Sequence, residues 1–586
     1  MGEKWRRMTV AENRNEVRTM SDCPNATPTM PRPECPTPQF DRGEAARLLL
    51  NGTWAFHTDR DGTGEVRGLP TAPDAAFGET IIVPFCRESV LSGIGDTSYC
   101  EHVWYRRTVT LPAAWVGGRV RLCVGACDYR TRVWVNGQAV GEHRGGFVSF
   151  SFDITDALVA GENAITIGVD DCLRAEEQPC GKQAPDQSYG CFYTRTTGIW
   201  QTVWLEHMPA ASIAHVRYVT DIDAPAVRME VAVRGGEGMI LTAAATYAGK
   251  AMGTASATVR GGRAVLEMPL AERHLWEVGH GRLYDVTLTL GEDTVRSYFG
   301  LRRVDCVDGM LCLNGEVVFQ RLVLDQGFYP DGIYTAPTAA ALEADIDRAL
   351  AMGFNGARLH QKVFEPYFLT LCDRKGYLVW GEHGNWGLDV SRPTAWRGFI
   401  PEWCEILERD INHPAIVGWC PLNETPDEQD QDLVRALATV TRQYDPTRVF
   451  IGTSGWTHVP GVSDMVDRHD YEQDPARFAE NLDKAAAAGI TFLSEYGGTL
   501  WAPTDDAAWG YGQAPLTEEE YLARLDGLTA AILAHPRMSG LCYTQLTDVE
   551  QEVNGLYTYD RRPKFDPARI RAIFGRPAAV ETSTKR

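Results

Sequence analysis

Ile416-Val-Gly-Trp-Cys-Pro-Leu-Asn-Glu424 and Ile490-Thr-Phe-Leu-Ser-Glu495 are two short apolar segments that each end on a glutamate. Loop-forming residues follow both of them, Thr425-Pro426 after the first and Gly497-Gly498 after the second. A buried strand gains no packing from a charged last residue, so the pattern indicates that these charges are used where the strands end. In a parallel (β/α)8 barrel the carboxyl ends of the strands share one face, which allows two such glutamates to meet.

Apolar segments alternate with helical ones throughout residues 305–586, and this alternation predicts a (β/α)8 barrel. The predicted strands are Val317–Arg321, Gly356–Leu359, Tyr377–Trp380, Ile416–Pro421, Val449–Gly452, Met465–Asp470, Ile490–Ser494 and Gly540–Tyr543. The predicted helices include Thr338–Met352, Gln429–Tyr444, Ala476–Ala488 and Thr517–Ala534. In this prediction Glu424 closes strand four and Glu495 closes strand seven.

The chain before the barrel is predicted to form two β-sandwiches. Residues 1–45 are polar and rich in proline, which is typical of an arm or a disordered tail. Residues 46–206 contain short alternating strands and the hairpin signal Asn136-Gly137, which together indicate a jelly-roll sandwich. Residues 207–304 have the length and strand spacing of an immunoglobulin-like sandwich.

Composition excludes several classes of partner. A formal net charge of −21 argues against nucleic acid and against an anionic membrane surface. No apolar run reaches the length of a transmembrane helix, and the basic N-terminus lacks the apolar core of a signal peptide, so we expect a cytoplasmic protein. The 15 cysteines lack metal-site spacing and are expected to be reduced thiols, and we predict neither a cofactor nor a catalytic metal.

The order of these three domains and their motifs resembles glycoside hydrolase family 2, the family of β-galactosidases, β-glucuronidases and β-mannosidases. The resemblance runs from about Pro38 to Arg562, and the collinear order of the motifs makes it specific. The matching motifs include Leu49-Asn-Gly-Thr-Trp54, Trp104-Tyr-Arg-Arg107, Val133-Trp-Val-Asn-Gly137, Tyr298-Phe-Gly-Leu-Arg302, Asn355-Gly-Ala-Arg358, His413-Pro-Ala-Ile416, Asn423-Glu424 and Ser494-Glu-Tyr-Gly-Gly498.

The resemblance implies a retaining glycosidase with Glu424 as acid/base and Glu495 as nucleophile. Two carboxyl groups roughly 5 Å apart are what double displacement at an anomeric carbon requires. Glu424 then needs a raised pKa to hold its proton, whereas Glu495 must stay ionised. Asn423 is placed to hydrogen-bond the sugar 2-hydroxyl.

Further polar and aromatic residues at the predicted strand ends are candidates for binding the sugar. A small carbohydrate or glycoside is the expected partner, and assembly into a homo-oligomer is an expectation from the resemblance. The candidate substrate-binding residues are Asn423, Arg358, His360, Asp325, Glu382, Asp470, Tyr471, Trp501, Tyr543 and Gln545.

The sequence departs from the family at positions that recognise the sugar. β-Glucuronidases carry an Asn-x-Lys element near the end of the barrel, but this chain reads Val553-Asn-Gly-Leu-Tyr-Thr-Tyr-Asp560 there and has no lysine before Lys564. Strand eight often presents a tryptophan, and here Tyr543 or Gln545 is expected to replace it. The large β-galactosidases of the family bind magnesium through a Glu-x-His segment after strand three. The corresponding segment here, Gly381-Glu-His-Gly-Asn-Trp386, does not have that spacing.

The favoured hypothesis is therefore an exo-acting, retaining, β-galactosidase-like enzyme. Alternative substrates for the same catalytic residues are a β-galactofuranoside, an α-L-arabinoside or a β-mannoside, with a β-glucuronide ranked last. A carbohydrate-binding protein with an inactive barrel is a further alternative. A metal-dependent hydrolase would instead use His360, Glu382 and His383.

Overall fold

The structure is a computed structural model that describes residues 30–583 except residues 116 and 503–507. Most of the predicted N-terminal arm, residues 1–29, lies outside the described part. Residues 30–45 do not form a free arm, because Arg32 is buried and donates to the carbonyl of Ala336 at 3.1 Å and to the carboxylate of Glu365 at 2.5 Å.

The first sandwich packs a four-stranded sheet against a six-stranded sheet around an apolar core. The predicted Asn136-Gly137 hairpin is confirmed, since Val135 pairs with Gln138 across these two residues. The four-stranded sheet has the order Arg47–Leu49, Val203–Met208, Arg119–Val124, Phe150–Asp153. The six-stranded sheet has the order Glu79–Val83, Gly52–Thr58, His102–Thr110, Glu162–Asp170, Arg130–Val135, Gln138–Arg144. Short pairs join Gln183–Ala184 to Tyr193–Thr194 and Gly198–Ile199 to Cys127–Asp128.

The second sandwich has alternating strands whose buried faces form a separate core. Its three-stranded sheet has the order Ser212–Asp221, Ala226–Arg234, Arg263–Pro269. Its four-stranded sheet has the order Lys250–Thr258, Ile240–Tyr247, Tyr284–Leu290, Asp293–Phe299. A small sheet, Val304–Val307, Met310–Leu313 and Glu316–Val317, then leads into the barrel.

Eight parallel strands form the barrel and hydrogen-bond in the order 5-4-3-2-1-8-7-6. They are β1 Gln320–Asp325, β2 Gly356–Leu359, β3 Leu378–Glu382, β4 Ile416–Cys420, β5 Val449–Phe450, β6 Asp467–Asp470, β7 Phe492–Gly497 and β8 Gly540–Thr544. A short extension pairs Leu422–Asn423 with Thr453–Ser454. The Thr453–Ser454 part of this extension, which follows the fifth strand, meets the sixth strand through side chains, since the Ser454 hydroxyl hydrogen-bonds Asp467 and, at 2.9 Å, His469.

Helices follow the strands on the outer face of the barrel. Their N-termini are capped by side chains where the sequence supplies them, as at Thr338, Asp430, Asp474 and Thr517. The helices are Ala339–Ala351, Pro366–Lys375, Thr394–Asp410, Gln431–Tyr444, Pro475–Ala487, Glu518–Ala534, Pro567–Phe574 and Ala579–Ser583. Shorter 3-10 turns are Glu44–Ala46, Leu69–Thr71, Asp74–Ala76, Val90–Ser92, Ala113–Trp115, Thr155–Ala157 and Leu173–Ala175.

The barrel prediction is confirmed, with shifted strand ends. The first strand lies three residues later than predicted, so Asp325 is its last residue and not part of the following loop. Strand seven continues two residues past Glu495. Within the described residues, no helix is both long enough and apolar enough to cross a membrane, and the cysteines there are unpaired thiols.

Asp373 ties the second sandwich to the barrel. Its buried carboxylate accepts hydrogen bonds from the hydroxyl of Tyr298 at 2.8 Å, from the Nδ1 atom of His413 at 2.6 Å and from the amide of Ala415 at 2.8 Å. Burial and the charge of Asp373 raise the pKa of Tyr298 well above its usual value, so this phenol stays a donor. The sequence motifs that contain Tyr298 and His413 therefore meet at one carboxylate.

We expect Tyr298→Phe to lower the free energy of unfolding by about 1.5–3 kcal/mol, because a hydrogen bond to a charged group is lost inside the domain junction. Urea unfolding followed by tryptophan fluorescence measures it. Tyr367→Phe in the neighbouring helix is the matched control, since its hydroxyl has no hydrogen-bond partner among the described residues. Identical midpoints for Tyr298→Phe and wild type would contradict a role for Asp373 at the junction.

Candidate active site

Glu424 and Glu495 meet at the carboxyl ends of the barrel strands. One carboxylate oxygen of each, together with a ring nitrogen of His469, lie within 4.8 Å of one another. Glu424 follows the extension Leu422–Asn423 beyond β4, and Glu495 lies on β7. Two facing carboxylates on different strands are thus brought to one point by the barrel topology.

The backbone of Glu424 is turned out of the strand conformation. Its φ is 48°, in the left-handed region that residues other than glycine and asparagine rarely adopt. Its amide donates to the carbonyl of Ser454 at 2.9 Å, which holds this turn, and its carboxylate contacts the Nδ1 atom of His469 at 2.6 Å. The strained turn directs the side chain toward His469 and leaves it 15% exposed.

Glu495 is held as an ionised carboxylate. Its Oε1 atom accepts from the Nη1 atom of Arg358 at 3.1 Å, and its Oε2 atom accepts from the hydroxyl of Tyr471. Burial alone would raise the pKa of Glu495, but the positive charges of His469, Arg358 and Lys182 lower it to about 2. The group therefore carries its charge at neutral pH.

Arg358 connects four strand ends through one buried guanidinium. Its Nε atom donates to Glu382 at 2.5 Å, and its Nη2 atom donates to the side-chain oxygen of Asn423 at 3.0 Å. Its Nη1 atom donates to the carbonyl of Ser494 at 2.9 Å as well as to Glu495. All of these acceptors lie at the catalytic face, so Arg358 fixes their relative positions.

His360 and Glu382 form a supporting pair beneath the two glutamates. The Nδ1 atom of His360 lies 3.1 Å from Glu382, and its Nε2 atom lies 3.8 Å from Glu495. Burial and the charge of Lys182 lower the pKa of His360 well below its usual value, so this ring is neutral. Burial raises the pKa of Glu382, which Arg358 opposes.

Only one of the two polar atoms of the Asn423 side chain has a hydrogen-bond partner among the described residues. Its backbone amide donates to Asn385 at 2.9 Å, and its carbonyl accepts from the Asn385 side chain at 3.2 Å and from the Trp386 indole at 3.1 Å. Its side-chain oxygen is taken by Arg358, whereas its buried Nδ2 atom has no partner among the described residues. A buried donor without a partner is suited to a ligand oxygen.

Two further predicted residues lie at the barrel rim with local partners. The carboxylate of Asp325 accepts from the amide of Gly327 at 2.9 Å, and burial together with Asp345 raises its pKa to about 6. Asp470 is half-buried and accepts from the amide of Glu472 at 3.0 Å. Neither contacts Glu424 or Glu495.

The prediction for strand eight was wrong by one residue. Side chains alternate along a strand, and Tyr543 points outward, where its hydroxyl lies 2.5 Å from that of Tyr521 on the outer helix Glu518–Ala534. Thr544 points inward, and its hydroxyl lies 3.1 Å from the hydroxyl of Tyr471. Thr544 is therefore the residue of this strand that reaches the site.

Trp501 and Gln545 have contacts other than the two glutamates. The indole of Trp501 packs against Tyr521 and Phe565, with ring centroids 5.6 Å away in both cases, so it belongs to the apolar core and not to a sugar platform. Gln545 is buried and donates to Asn554 at 2.8 Å. Asn554 in turn donates to Glu552 at 2.9 Å.

Sequence reasoning missed His469, which lies between the two glutamates. Its ring contacts Glu424, the Ser454 hydroxyl at 2.9 Å and, at 3.5 Å, Glu495. Burial would lower the pKa of His469, but Glu495 and Glu424 raise it. The available signal was its place in the sixth strand directly before Asp470 and Tyr471, with alternation pointing His469 inward.

The predicted metal-binding alternative is not supported by the position of His383. Its Nε2 atom lies 3.4 Å from Glu402, and its ring packs against Phe147 and Phe399, away from His360 and Glu382. In the described part of the chain, the group that converges closely enough for a metal ion is Glu424, His469 and Glu495. The oxygens of Glu495 are already engaged by Arg358 and Tyr471.

Sequence and structure comparisons place these features in a known family. Residues 94–209 match the sugar binding domain of the glycosyl hydrolases family 2, and residues 336–502 match the TIM barrel domain of the same family. The chain belongs to glycoside hydrolase family 2. It is a glycosidase, and the predicted sandwich-and-barrel architecture is confirmed.

The alignments of this family 2 chain with named relatives have low sequence identity but cover most of the chain. A beta-glucuronidase of Paenibacillus borealis is 24% identical over 90% of this chain and 96% of its own length. A beta-galactosidase of Enterobacter cloacae is 28% identical over 74% of this chain and 45% of its own length. The solved structure of Lactobacillus rhamnosus beta-glucuronidase superposes with a TM-score of 0.79 at 20% identity, covering 92% of this chain and 99% of that one.

The expected ranking of substrates needs correction. Beta-glucuronidases stand beside beta-galactosidases among the sequence relatives, and one of them aligns with 90% of this chain, so a β-glucuronide is not the last candidate. The ranking rested on the missing Asn-x-Lys element. It therefore took into account only the cations that the barrel itself supplies.

The charge of His469 makes a testable contribution to stability. Because the pKa of this histidine is raised above its ordinary value of about 6.5, its attraction to the two glutamates is complete below that pH and is lost as pH rises through the higher folded-state pKa. We expect the thermal unfolding midpoint of wild type to fall more steeply than that of His469→Gln above about pH 6.5.

Calorimetric scans between about pH 5.5 and 9, which bracket the ordinary histidine value, measure this difference. His280→Gln, at an exposed position, controls for the loss of an imidazole elsewhere in the chain. Parallel midpoint curves for wild type and His469→Gln would show that His469 gives up no proton over this range.

Proposed function

We propose that the chain is a retaining exo-β-glycosidase that removes one terminal sugar through a covalent glycosyl-enzyme. The observation that carries the proposal is the separation of Glu424 and Glu495, whose nearest carboxylate oxygens lie within 4.8 Å. A gap of this size suits direct attack by one carboxylate, whereas inverting enzymes leave room for a water between carboxyl groups about 6.5–9.5 Å apart.

Glu495 is the nucleophile in this proposal. Arg358 and Tyr471 hold its two oxygens, and its low pKa keeps it charged at the moment of attack. In the first step a Glu495 oxygen bonds to the anomeric carbon, while the bond from that carbon to the leaving oxygen breaks. The leaving oxygen takes a proton from Glu424.

Glu424 acts a second time to release the sugar. As a carboxylate it accepts a proton from water, whose oxygen attacks the anomeric carbon and breaks the ester to Glu495. The product keeps the β configuration and Glu424 is protonated again. Contact with His469 and partial exposure suit Glu424 to exchange protons with its surroundings.

Asn423 and Thr544 complete the immediate surroundings of the reacting sugar. The unpartnered Nδ2 atom of Asn423 is available to the 2-hydroxyl, a contact that strengthens as charge develops at the neighbouring anomeric carbon. The glycone is proposed to be a β-galactoside or a β-glucuronide, in line with the relatives. β-Mannosides, β-galactofuranosides and α-L-arabinosides belong in the same test panel.

Hydrolysis of a panel of nitrophenyl glycosides tests the assignment. With the glycoside that wild type cleaves, we expect Glu495→Gln to lose at least roughly a thousandfold in kcat, because no carboxylate remains to form the ester. Glu428→Gln, which changes an exposed carboxylate of the loop after β4, is the matched control and should retain full activity. Equal activities of Glu495→Gln and wild type would refute the nucleophile.

Rescue by azide separates the two roles. In Glu424→Ala, azide attacks the glycosyl-enzyme from the face that water normally uses, so we expect a β-glycosyl azide. In Glu495→Ala, azide fills the space of the lost nucleophile and attacks the opposite face, so we expect an α-glycosyl azide. Product NMR reads the configuration, and the reverse pattern would exchange the two assignments.

A further inference from the structure

A segment of the first sandwich forms part of the barrel's catalytic face. We call residues 180–194 the bridging segment. The amide of Cys180 donates to the carbonyl of Trp386 at 2.8 Å, and the amide of Thr194 donates to Glu550 at 3.0 Å. The segment is thus hydrogen-bonded at both ends to loops that follow barrel strands.

Tight packing fixes the course of the bridging segment. Gly181 has a φ of 65°, and a Cβ atom there would lie 2.3 Å from the carbonyl oxygen of Gln361. Farther along, Gln551 donates to the carbonyls of Gly190 and Phe192 at 2.8 and 3.0 Å. A segment held so closely can position a side chain within the site.

Lys182 is the side chain that the bridging segment delivers. It is 5% exposed, and its Nζ atom lies 5.3 Å from the ring centre of Trp386 and 6.0 Å from that of Tyr193. Its ammonium has no hydrogen-bond or ion-pair partner among the described residues. A buried ammonium without a partner is costly, so the arrangement is suited to an acceptor that arrives with a ligand.

The charge of Lys182 acts directly on the proposed catalytic groups. It lowers the pKa of both Glu495 and His360. Burial would lower the pKa of Lys182 itself, but Glu552 and the two glutamates raise it, so the ammonium keeps its charge. Geometry places the ammonium near the same groups, because the Trp386 ring that it faces donates to the carbonyl of Asn423, the residue before Glu424.

The other buried cations of the barrel are already occupied. Arg358 donates to four acceptors, as described above. Lys362 donates to the carbonyls of Gly327 and Tyr334, and Lys564, the lysine nearest to the missing Asn-x-Lys element, pairs with Asp548 at 2.7 Å. Glu552, which lies near Lys182, accepts from Tyr193 and Asn554.

We infer that Lys182 is a specificity-determining residue that donates hydrogen bonds to an oxygen of the glycone held between Glu424 and Glu495. The inference rests on the proposed function, and it assigns part of sugar recognition to a residue of the first sandwich. The acceptor is an anionic or strongly polar oxygen. It belongs either to the carboxylate of a uronide or to a hydroxyl of a neutral hexoside.

The test compares wild type, Lys182→Met, Lys182→Gln and Lys375→Met. Methionine keeps the apolar stem without a donor, and glutamine keeps a neutral donor. Lys375, a surface lysine paired with Glu343 and Asp347, controls for the loss of one positive charge. Turnover of nitrophenyl β-galactoside and β-glucuronide is measured beside calorimetric binding of galactose and glucuronate, and unfolding midpoints check that each variant is folded.

We expect Lys182→Met to lower kcat/KM for the cleaved glycoside by roughly 10- to 150-fold, the loss expected for a hydrogen bond to a charged donor. Binding of the corresponding sugar should weaken in parallel, while Lys375→Met matches wild type. If the acceptor is a hydroxyl, Lys182→Gln recovers most of the loss. If it is a carboxylate, Lys182→Gln is as impaired as Lys182→Met, because the charge is missing.

Turnover and sugar binding by Lys182→Met within about twofold of a wild type that cleaves its glycoside would overturn the inference alone, since roughly tenfold is the smallest loss expected. A wild type that cleaves no glycoside but binds a sugar through Lys182 would refute the proposed function and support the contact. A wild type that neither cleaves nor binds these sugars would overturn both.

Discussion

The guanidinium of Arg358 holds the geometry of the catalytic face together. It lies on β2 and donates to Glu382 at the end of β3, to Asn423 beyond β4, and to Ser494 and Glu495 on β7. Being 1% exposed, it repays its own desolvation only if these acceptors remain in place. The same contacts that satisfy the buried charge therefore fix the position of Glu495, keep it ionised, and orient the amide of Asn423.

Two domains contribute to the electrostatics of the site. The barrel supplies both glutamates together with Arg358 and His469, while the bridging segment of the first sandwich adds the charge of Lys182. Each of these buried charges would cost free energy of desolvation if it were buried without an opposite charge nearby. Brought together at the catalytic face, they leave the Nδ2 atom of Asn423 without a hydrogen-bond partner among the described residues, and the inferred sugar contact of Lys182 would add a second donor.

The fold and the two central glutamates could be predicted because their signals are local. Apolar segments that end on Glu424 and Glu495 mark strand ends, and alternation with helices marks the barrel. The errors arose where the side-chain direction or a distant part of the chain decides the outcome. One residue of register separates the outward Tyr543 from the inward Thr544. Lys182 lies about 240 residues before Glu424 in sequence, so its place beside the glutamates follows from domain packing that no local pattern encodes.

The central claim is that Glu495 forms a covalent bond to the sugar. A 2-deoxy-2-fluoro glycosyl fluoride of the cleaved sugar tests it directly, because fluorine at C2 destabilises the positively charged transition states and lets the intermediate accumulate. Mass spectrometry of the digested enzyme then locates the label. The account predicts one fluorosugar on the peptide that contains Glu495, with inactivation in step with labelling. A label on another residue, or turnover of the reagent without any labelled peptide, would contradict it.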